Sequence, residues 1–211
     1  MKTYDYAGPD SQLLRAHPWT VSTGDPAGRY YDLRAEPGLI RTSLEDFLPW
    51  SAWPAVETFY QLLEWLNGAD STLETNDCAL QGPAPNATAA SPRALEVTGR
   101  LMILWRSLPM NLPRANVEWL RMGIHRHLST IDLEFSDGAV GITICRVRFR
   151  GIRGPERRKA GFQLMLSFWA WGDAVEDSMA NLARCLRNLG DALRAVEREA
   201  HLALDGHGRG A

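Results

Sequence analysis

The sequence predicts an α+β fold, a mostly antiparallel sheet of about four to six strands packed against a long C-terminal helix and two shorter helices. Three observations carry that expectation. Apolar residues alternate with polar ones from Leu95 to Arg106, from Ile131 to Phe135 and again from Phe162 to Phe168, a period of two that puts successive side chains on opposite faces of a strand. A spacing of alternating fours and threes runs through Val175, Met179, Leu182, Leu186, Leu189, Leu193, Val196 and Ala200, the apolar seam of one long helix. Tight-turn residues sit between strand-like runs, above all Asp137-Gly138.

Taken in order, residues 1–50 carry breakers at short intervals (Gly8-Pro9, Pro18, Gly24, Pro26, Gly28, Pro37-Gly38, Pro49), which leaves room only for short elements such as Arg29–Arg34. An irregular N-terminal arm is expected there. From Trp53, Val56, Phe59, Tyr60, Leu62, Leu63 and Leu66 recur at helical spacing until Asn67-Gly68, with Pro54 in the first turn and Ser51 as cap, so a helix is expected over about 53–67. Ser71 to Leu80 reads as a strand, and Gln81 to Arg93, rich in Pro, Ala, Asn and Ser, as a loop. A long strand over Leu95–Arg106 follows, then a helix over Ala115–Leu128 on Val117, Leu120, Ile124 and Leu128.

Ile131, Leu133 and Phe135 before Asp137-Gly138, and Val140, Ile142 and Ile144 after it, spell a hairpin. Beyond Ile144 the apolar set becomes Cys145, Val147 and Phe149, and Arg146, Arg148 and Arg150 the polar one; this slip of phase predicts a bulge near Ile144–Cys145. Phe162 to Gly172 is a further strand. Asp173 and Glu176 resemble a capping box opening the long helix, which should run to about Leu204, with Ala180, Ala183, Ala192 and Ala195 widening its apolar stripe. Gly190 within it calls for a close neighbour such as a strand or an aromatic ring. The division expected is an arm (1–50), one α+β domain (51–204) and a disordered tail (205–211).

The chain of 211 residues has 23 Lys+Arg against 25 Asp+Glu, a balance that excludes a polycationic nucleic-acid protein and a disordered acidic tail. No apolar run approaches the ~20 residues of a membrane helix, and the first six residues lack a signal core, so a cytoplasmic protein is expected. Cys78, Cys145 and Cys185 are an odd set without C-x-x-C spacing, which speaks against a disulfide framework or a zinc site. His125 and His127, two apart on a helix, point about 200° from each other and cannot share a metal. Neither a metal nor a cofactor is expected. The nucleotide-binding, zinc-protease and hydrolase motifs are missing from the sequence.

Three places remain as candidates. Arg146, Arg148, Arg150, Arg153, Arg157, Arg158 and Lys159 are seven cations around Glu156, able to grip phosphates, to contact an acidic protein or to form a solvated sheet face; at net charge −2 a nucleic-acid partner is the least expected of the three. Glu74-Thr75-Asn76-Asp77-Cys78 offers an acid/base pair and a thiol, or a turn whose side chains cap backbone amides. With Glu57 and Glu64 on the preceding helix, Glu74 and Asp77 would form one negative face for a protein partner. Of the eight tryptophans, any that are exposed would mark an interface.

The stretch Val56-Glu-Thr-Phe-Tyr-Gln-Leu-Leu-Glu-Trp-Leu-Asn67, followed by Leu73-Glu-Thr-Asn-Asp-Cys-Ala-Leu-Gln-Gly-Pro83 and the Leu95–Arg106 strand, resembles small bacterial immunity proteins of contact-dependent inhibition and related polymorphic toxin systems over roughly residues 55–205. The resemblance implies a non-enzymatic cytoplasmic protein that binds a cognate toxin domain, often a nuclease, and blocks it; no interface residue carries over by position. The expected contact residues are Glu57, Glu64, Glu74, Asn76 and Asp77, on a chain monomeric before binding. The alternative is an enzyme or small-ligand domain with a pocket near Glu74–Cys78.

Overall fold

The computed structural model describes residues 1–6, 13–16, 33–87, 90–150 and 159–207. Six strands form one sheet: β1 (Lys2–Tyr6), β2 (Leu13–Ala16), β3 (Leu73–Pro85), β4 (Leu95–Trp105), β5 (Gly138–Arg150) and β6 (Lys159–Gly172). Their order is β1-β5-β6-β4-β3, with β2 also on β5. β3, β4, β6 and β5 pair antiparallel, whereas β1 and β2 run parallel to β5. The helices are α1 (Leu39–Thr42), α2 (Pro54–Asn67), α3 (Arg114–Leu128) and α4 (Val175–His207), with 3₁₀ turns at Leu48–Trp50 and Leu108–Asn111. The α+β architecture and the mostly antiparallel sheet are those the periodicities predict.

α4 lies across the sheet, with α2 and α3 packed beside it. At 33 residues it is about 50 Å long. Met179, Leu182, Leu186, Leu189, Leu193 and Val196 are buried in one cluster with Leu101, Ile103, Leu164, Leu166 and Phe168 of the sheet. Ala183 and Ala192 widen that stripe, but Ala180 faces solvent. On the opposite sheet face, Leu104, Val147 and Phe149 pack against Leu108.

Several expectations are corrected. The hairpin before Asp137-Gly138 does not form, because β6 takes one edge of β5 and β1 the other, Lys2 to Tyr6 lying beside Ala139 to Thr143. Residues 129–137 instead fold into turns against α4: Asp132, at φ 52°, accepts two bonds from Arg184 at 2.5 and 2.6 Å and one from Asn188 at 3.0 Å. Leu133 is left exposed. Gly138 is needed for closeness rather than for a turn, since a Cβ there would come within 2.5 Å of the Phe135 ring.

No bulge interrupts β5 against β6, whose register is continuous from Gly138↔Ala170 to Phe149↔Lys159. The apolar phase changes because the covered face changes. Helices cover Val140 and Ile142, and Leu104 with Leu108 covers Val147 and Phe149 on the other side. The irregularities lie in β3, between Thr75 and Asp77 and between Gln81 and Ala84. β3 also runs on to Pro85, through the first part of the expected loop.

The N-terminal fifty residues are not all irregular, as β1 and β2 belong to the sheet and α1 docks on α2; residues 29–32 of the expected Arg29–Arg34 element lie outside the described residues. Ser51 does not cap α2, whose N-cap is Trp53 with extended backbone and no side-chain bond. Asp173 binds Arg93 at 2.7 Å and the Ala94 amide at 3.3 Å rather than its own helix. Apart from the Arg194 guanidinium of its own helix, the close neighbour of Gly190 is Leu62 of α2, 3.6 Å from where a Cβ would stand, and not a strand or a ring. α4 continues through 205–207 of the expected tail, and 208–211 lie outside the described residues.

Candidate functional site

The acidic residues singled out in the sequence do not form one negative face. Glu57 and Glu64 sit on α2 and both grip Arg41 of α1, at 2.7 and 3.0 Å for Glu57 and 2.6 and 3.1 Å for Glu64. Hydrogen bonds from Arg41, then from Gln61, hold the Glu57 carboxyl below the ordinary carboxylate range. Glu74 and Asp77 point to the sheet face away from α2, because alternation along β3 turns Leu73 and Thr75 toward the helices and Glu74 away.

Glu74 is buried beside Arg34 at 3.5 Å, and Asp77 pairs with Arg100 at 3.1 Å. Asn76, also buried, donates from Nδ2 to Gln163 Oε1. Cys78 packs partly into the core; burial, with the carboxylates of Asp77 and Asp46, pushes its thiol up to about 12, opposite to what a thiolate nucleophile needs. Arg146 and Arg148 are exposed on β5, and 151–158 of the basic stretch lie outside the described residues. Among the described residues, no group of three or more His, Cys, Asp and Glu could hold a metal ion, and no helix is long and apolar enough to cross a membrane.

The structure draws attention elsewhere, to an open cleft of about 690 Å³ where the start of β3 and the end of β4 meet α3 and α4. Trp105, Trp119 and Met110 give it apolar walls; Arg34 and Arg106 are its charged lining residues; Ser71, Thr72, Asn116 and Ala200 complete it. Each wall is fixed from behind. Asn111, fully buried in the 3₁₀ turn, accepts from the Trp105 amide at 2.8 Å and donates to its carbonyl at 2.7 Å. The Trp105 indole N–H reaches the Asn116 carbonyl at 3.4 Å, and its ring lies 6.0 Å from that of Trp119.

On the facing side the buried Glu197 of α4 accepts through one oxygen from Ser71 Oγ at 3.0 Å, Thr72 Oγ1 at 2.9 Å and the Thr72 amide. A carboxylate satisfied three times over is a strut, and it ties the 71–72 turn to the helix. Arg106 closes the end of α2. That helix has no basic residue in its last turn, and the Arg106 guanidinium donates to the carbonyls of Leu66 at 3.3 Å, Gly68, and Ala69 at 3.4 Å. Burial, then the nearby Arg34 cation, holds Arg106 below an arginine's ordinary range.

Exposed apolar side chains continue the cleft outward. Along α3, Ala115, Trp119, Met122 and Arg126 fall at steps of four, three and four on one exposed stripe, with Trp119 40% and Met122 58% exposed; Met110 is exposed beside them. A Trp at that exposure on a rigid helix, flanked by Met and Arg, has the composition found at binding hot spots. Sequence reading missed this site. Trp119 is one of eight tryptophans, Arg106 the polar member of a strand alternation and Arg34 one of five cations in residues 1–50. Comparison of the chain with protein-family models, with curated proteins and with solved structures gives no match.

Proposed function

We propose that this chain is a non-enzymatic immunity-type protein that binds and neutralises a cognate toxin domain, and that it does so through the cleft and the exposed stripe of α3. The single observation that carries this reading is the exposed Trp119, its ring tilted against that of the fixed Trp105 and flanked by Met110 and Met122 at the mouth of the cleft. Exposed apolar side chains at helical spacing cost solubility and are kept where a partner covers them. Walls held by Asn111 and Glu197 lose little freedom on binding, which favours affinity. The resemblance over 55–205 supplies the class of partner, and such an interface would bury on the order of 1,600 Å².

The acidic patch expected from sequence supports the reading less, since each of its carboxylates has an arginine or is buried. A toxin-domain reading frame next to this gene supplies the test. Cells carrying that toxin should survive when this chain is co-expressed; cells that die as fast with the chain as without it would refute the proposal.

One observation favours a second reading, a small-ligand or enzymatic site: the volume of about 690 Å³ lies in the range of small-molecule pockets. Its lining includes none of Glu74, Asn76, Asp77 and Cys78. A metabolite retained through native purification and displaced by substitution of Trp105 would favour it over the first.

A further inference from the structure

The charges around the cleft are balanced within the fold. Arg34 and Arg106 are the cations of its lining, and two buried carboxylates, Glu74 and Glu197, stand behind them. Arg34 pairs with Glu74 at 3.5 Å, and both carboxylates act on the Arg106 charge in opposition to Arg34. The polar lining is engaged as well. Ser71 Oγ donates to Glu197 and accepts from the Leu73 amide at 3.1 Å, Thr72 Oγ1 donates to Glu197, and Asn116 Nδ2 donates to the Met110 carbonyl at 3.0 Å. Arg106 turns both terminal nitrogens onto backbone carbonyls at the end of α2. A guanidinium held in this way keeps its flat face for stacking on a ring. The surface still open to water at the cleft mouth is apolar, at Trp119, Met110 and Met122.

Two features narrow the occupant. A charge brought into a balanced, half-enclosed site gives up water without meeting an unmatched opposite charge, so an uncharged group is favoured. The exposed stripe of α3 also outruns the cleft. From Ala115 to Arg126 it is about 16 Å long, and Ala115, Met122 and Arg126 are not among the cleft's lining residues. A small molecule filling the cleft would leave them uncovered, whereas a protein segment covers both.

We infer that the cleft is the anchor site of the interface: it receives one uncharged aromatic side chain of the partner protein, whose ring lies against Trp105, Trp119 and Met110 while the residues around it cover the α3 stripe. The source of the ring rests on the toxin-binding reading; the chemistry of the site does not. Aromatic rings suit such walls, because offset or edge-to-face ring pairs, a thioether at a ring edge and a guanidinium face each add attraction beyond the area buried. A ring packed in the cleft and bordered by Met122 and Arg126 has the arrangement of a binding hot spot.

The test uses the native protein and three small probes: N-acetyl-L-phenylalaninamide, N-acetyl-L-alaninamide, which lacks the ring, and N-acetyl-L-phenylalanine, which carries a carboxylate in place of the amide. Binding is read from the indole N–H signal of Trp119, assigned by its loss in Trp119→Phe. The phenylalanine amide should shift that signal with a dissociation constant of about 1 mM, as for a small fragment. The acid should bind within about twofold of it, and the alanine amide at least about tenfold more weakly. No shift from the phenylalanine amide at about ten times that concentration, equal binding of the alanine amide, or a preference for the acid beyond about twofold would overturn the inference. Met110 and Leu133 are both exposed, so Met110→Ala and Leu133→Ala should keep the fold. Met110→Ala should weaken the phenylalanine amide about threefold or more and Leu133→Ala should not; equal loss in the two would place the probe outside the cleft and overturn the inference as well. The outcome separates from the toxin reading. If the phenylalanine amide fails to bind while co-expressed cells survive the toxin, the anchor fails and the immunity reading stands; if it binds as expected while those cells die, the site stands and the immunity reading fails.

Discussion

Two charged regions of this molecule differ in how their charges are engaged. On α2, Glu57 and Glu64 close on Arg41 with four hydrogen bonds, and the group's work is to dock α1. At the cleft, Arg106 spends its donors on backbone carbonyls between apolar walls, while Arg34 keeps an ion pair with the buried Glu74 at 3.5 Å. A count of acids and bases along the chain ranks the first region higher as a binding face. Geometry reverses the order, because a charge already paired with an opposite charge has little left for a partner, whereas apolar side chains exposed at the cleft mouth gain by being covered.

That contrast depends on the frame holding the cleft, where the largest effect is expected. Leu186 is buried in the α4 seam, so Leu186→Ala should cost about 2–5 kcal/mol of folding stability, measured by denaturant unfolding. The melting temperature should not fall on dilution; a fall would mean that the seam is a dimer contact and the cleft is read in the wrong assembly. Next is Gly123, where a Cβ would come within 2.9 Å of Val196 Cγ2 and push α3 from α4. Gly123→Ala should lose about 1–3 kcal/mol by overpacking and, by moving Trp119, weaken partner binding as well. Unfolding and binding measured together check both.

The smallest effect belongs to α2. Glu57→Gln with Glu64→Gln should change stability by about 1 kcal/mol or less and leave partner binding unchanged, since the ion pairs are half exposed. The sign with pH follows from Glu57, whose carboxyl lies lower when folded than unfolded. Its contribution is present above the ordinary glutamate value of about 4.3 and is lost as pH falls below it. Acid titration of the double variant should therefore lack that part of the wild-type loss.

The helices and central strands were legible because their patterns are local. The 4–3 seam of α4, the Pro54 start of α2 and the alternation of β4 each name their own partners within a few residues. What misled was pairing at a distance. Ile131, Leu133 and Phe135 alternate like a strand, yet the β5 edge they would need is held by Lys2–Tyr6, more than a hundred residues away in the chain. The phase change at Ile144 has the same origin, a change in which face is covered. At the cleft, residue types were visible but exposure and proximity were not. Nothing local to Arg34, Arg106 or Trp119 says that they share a wall, and only the meeting of β3, β4, α3 and α4 makes them a site.

The central claim, that this chain recognises its partner through the cleft and not through the acidic helix, is tested most directly by one set of dissociation constants. Purified toxin domain would be titrated into the wild-type chain, into Trp119→Ala and into the Glu57→Gln, Glu64→Gln double variant, each first shown to keep its melting temperature. The account predicts a loss of about 30-fold or more for Trp119→Ala, the scale of a hot-spot truncation, and no change beyond about twofold for the double variant. Full affinity in Trp119→Ala together with a large loss in the double variant would contradict it.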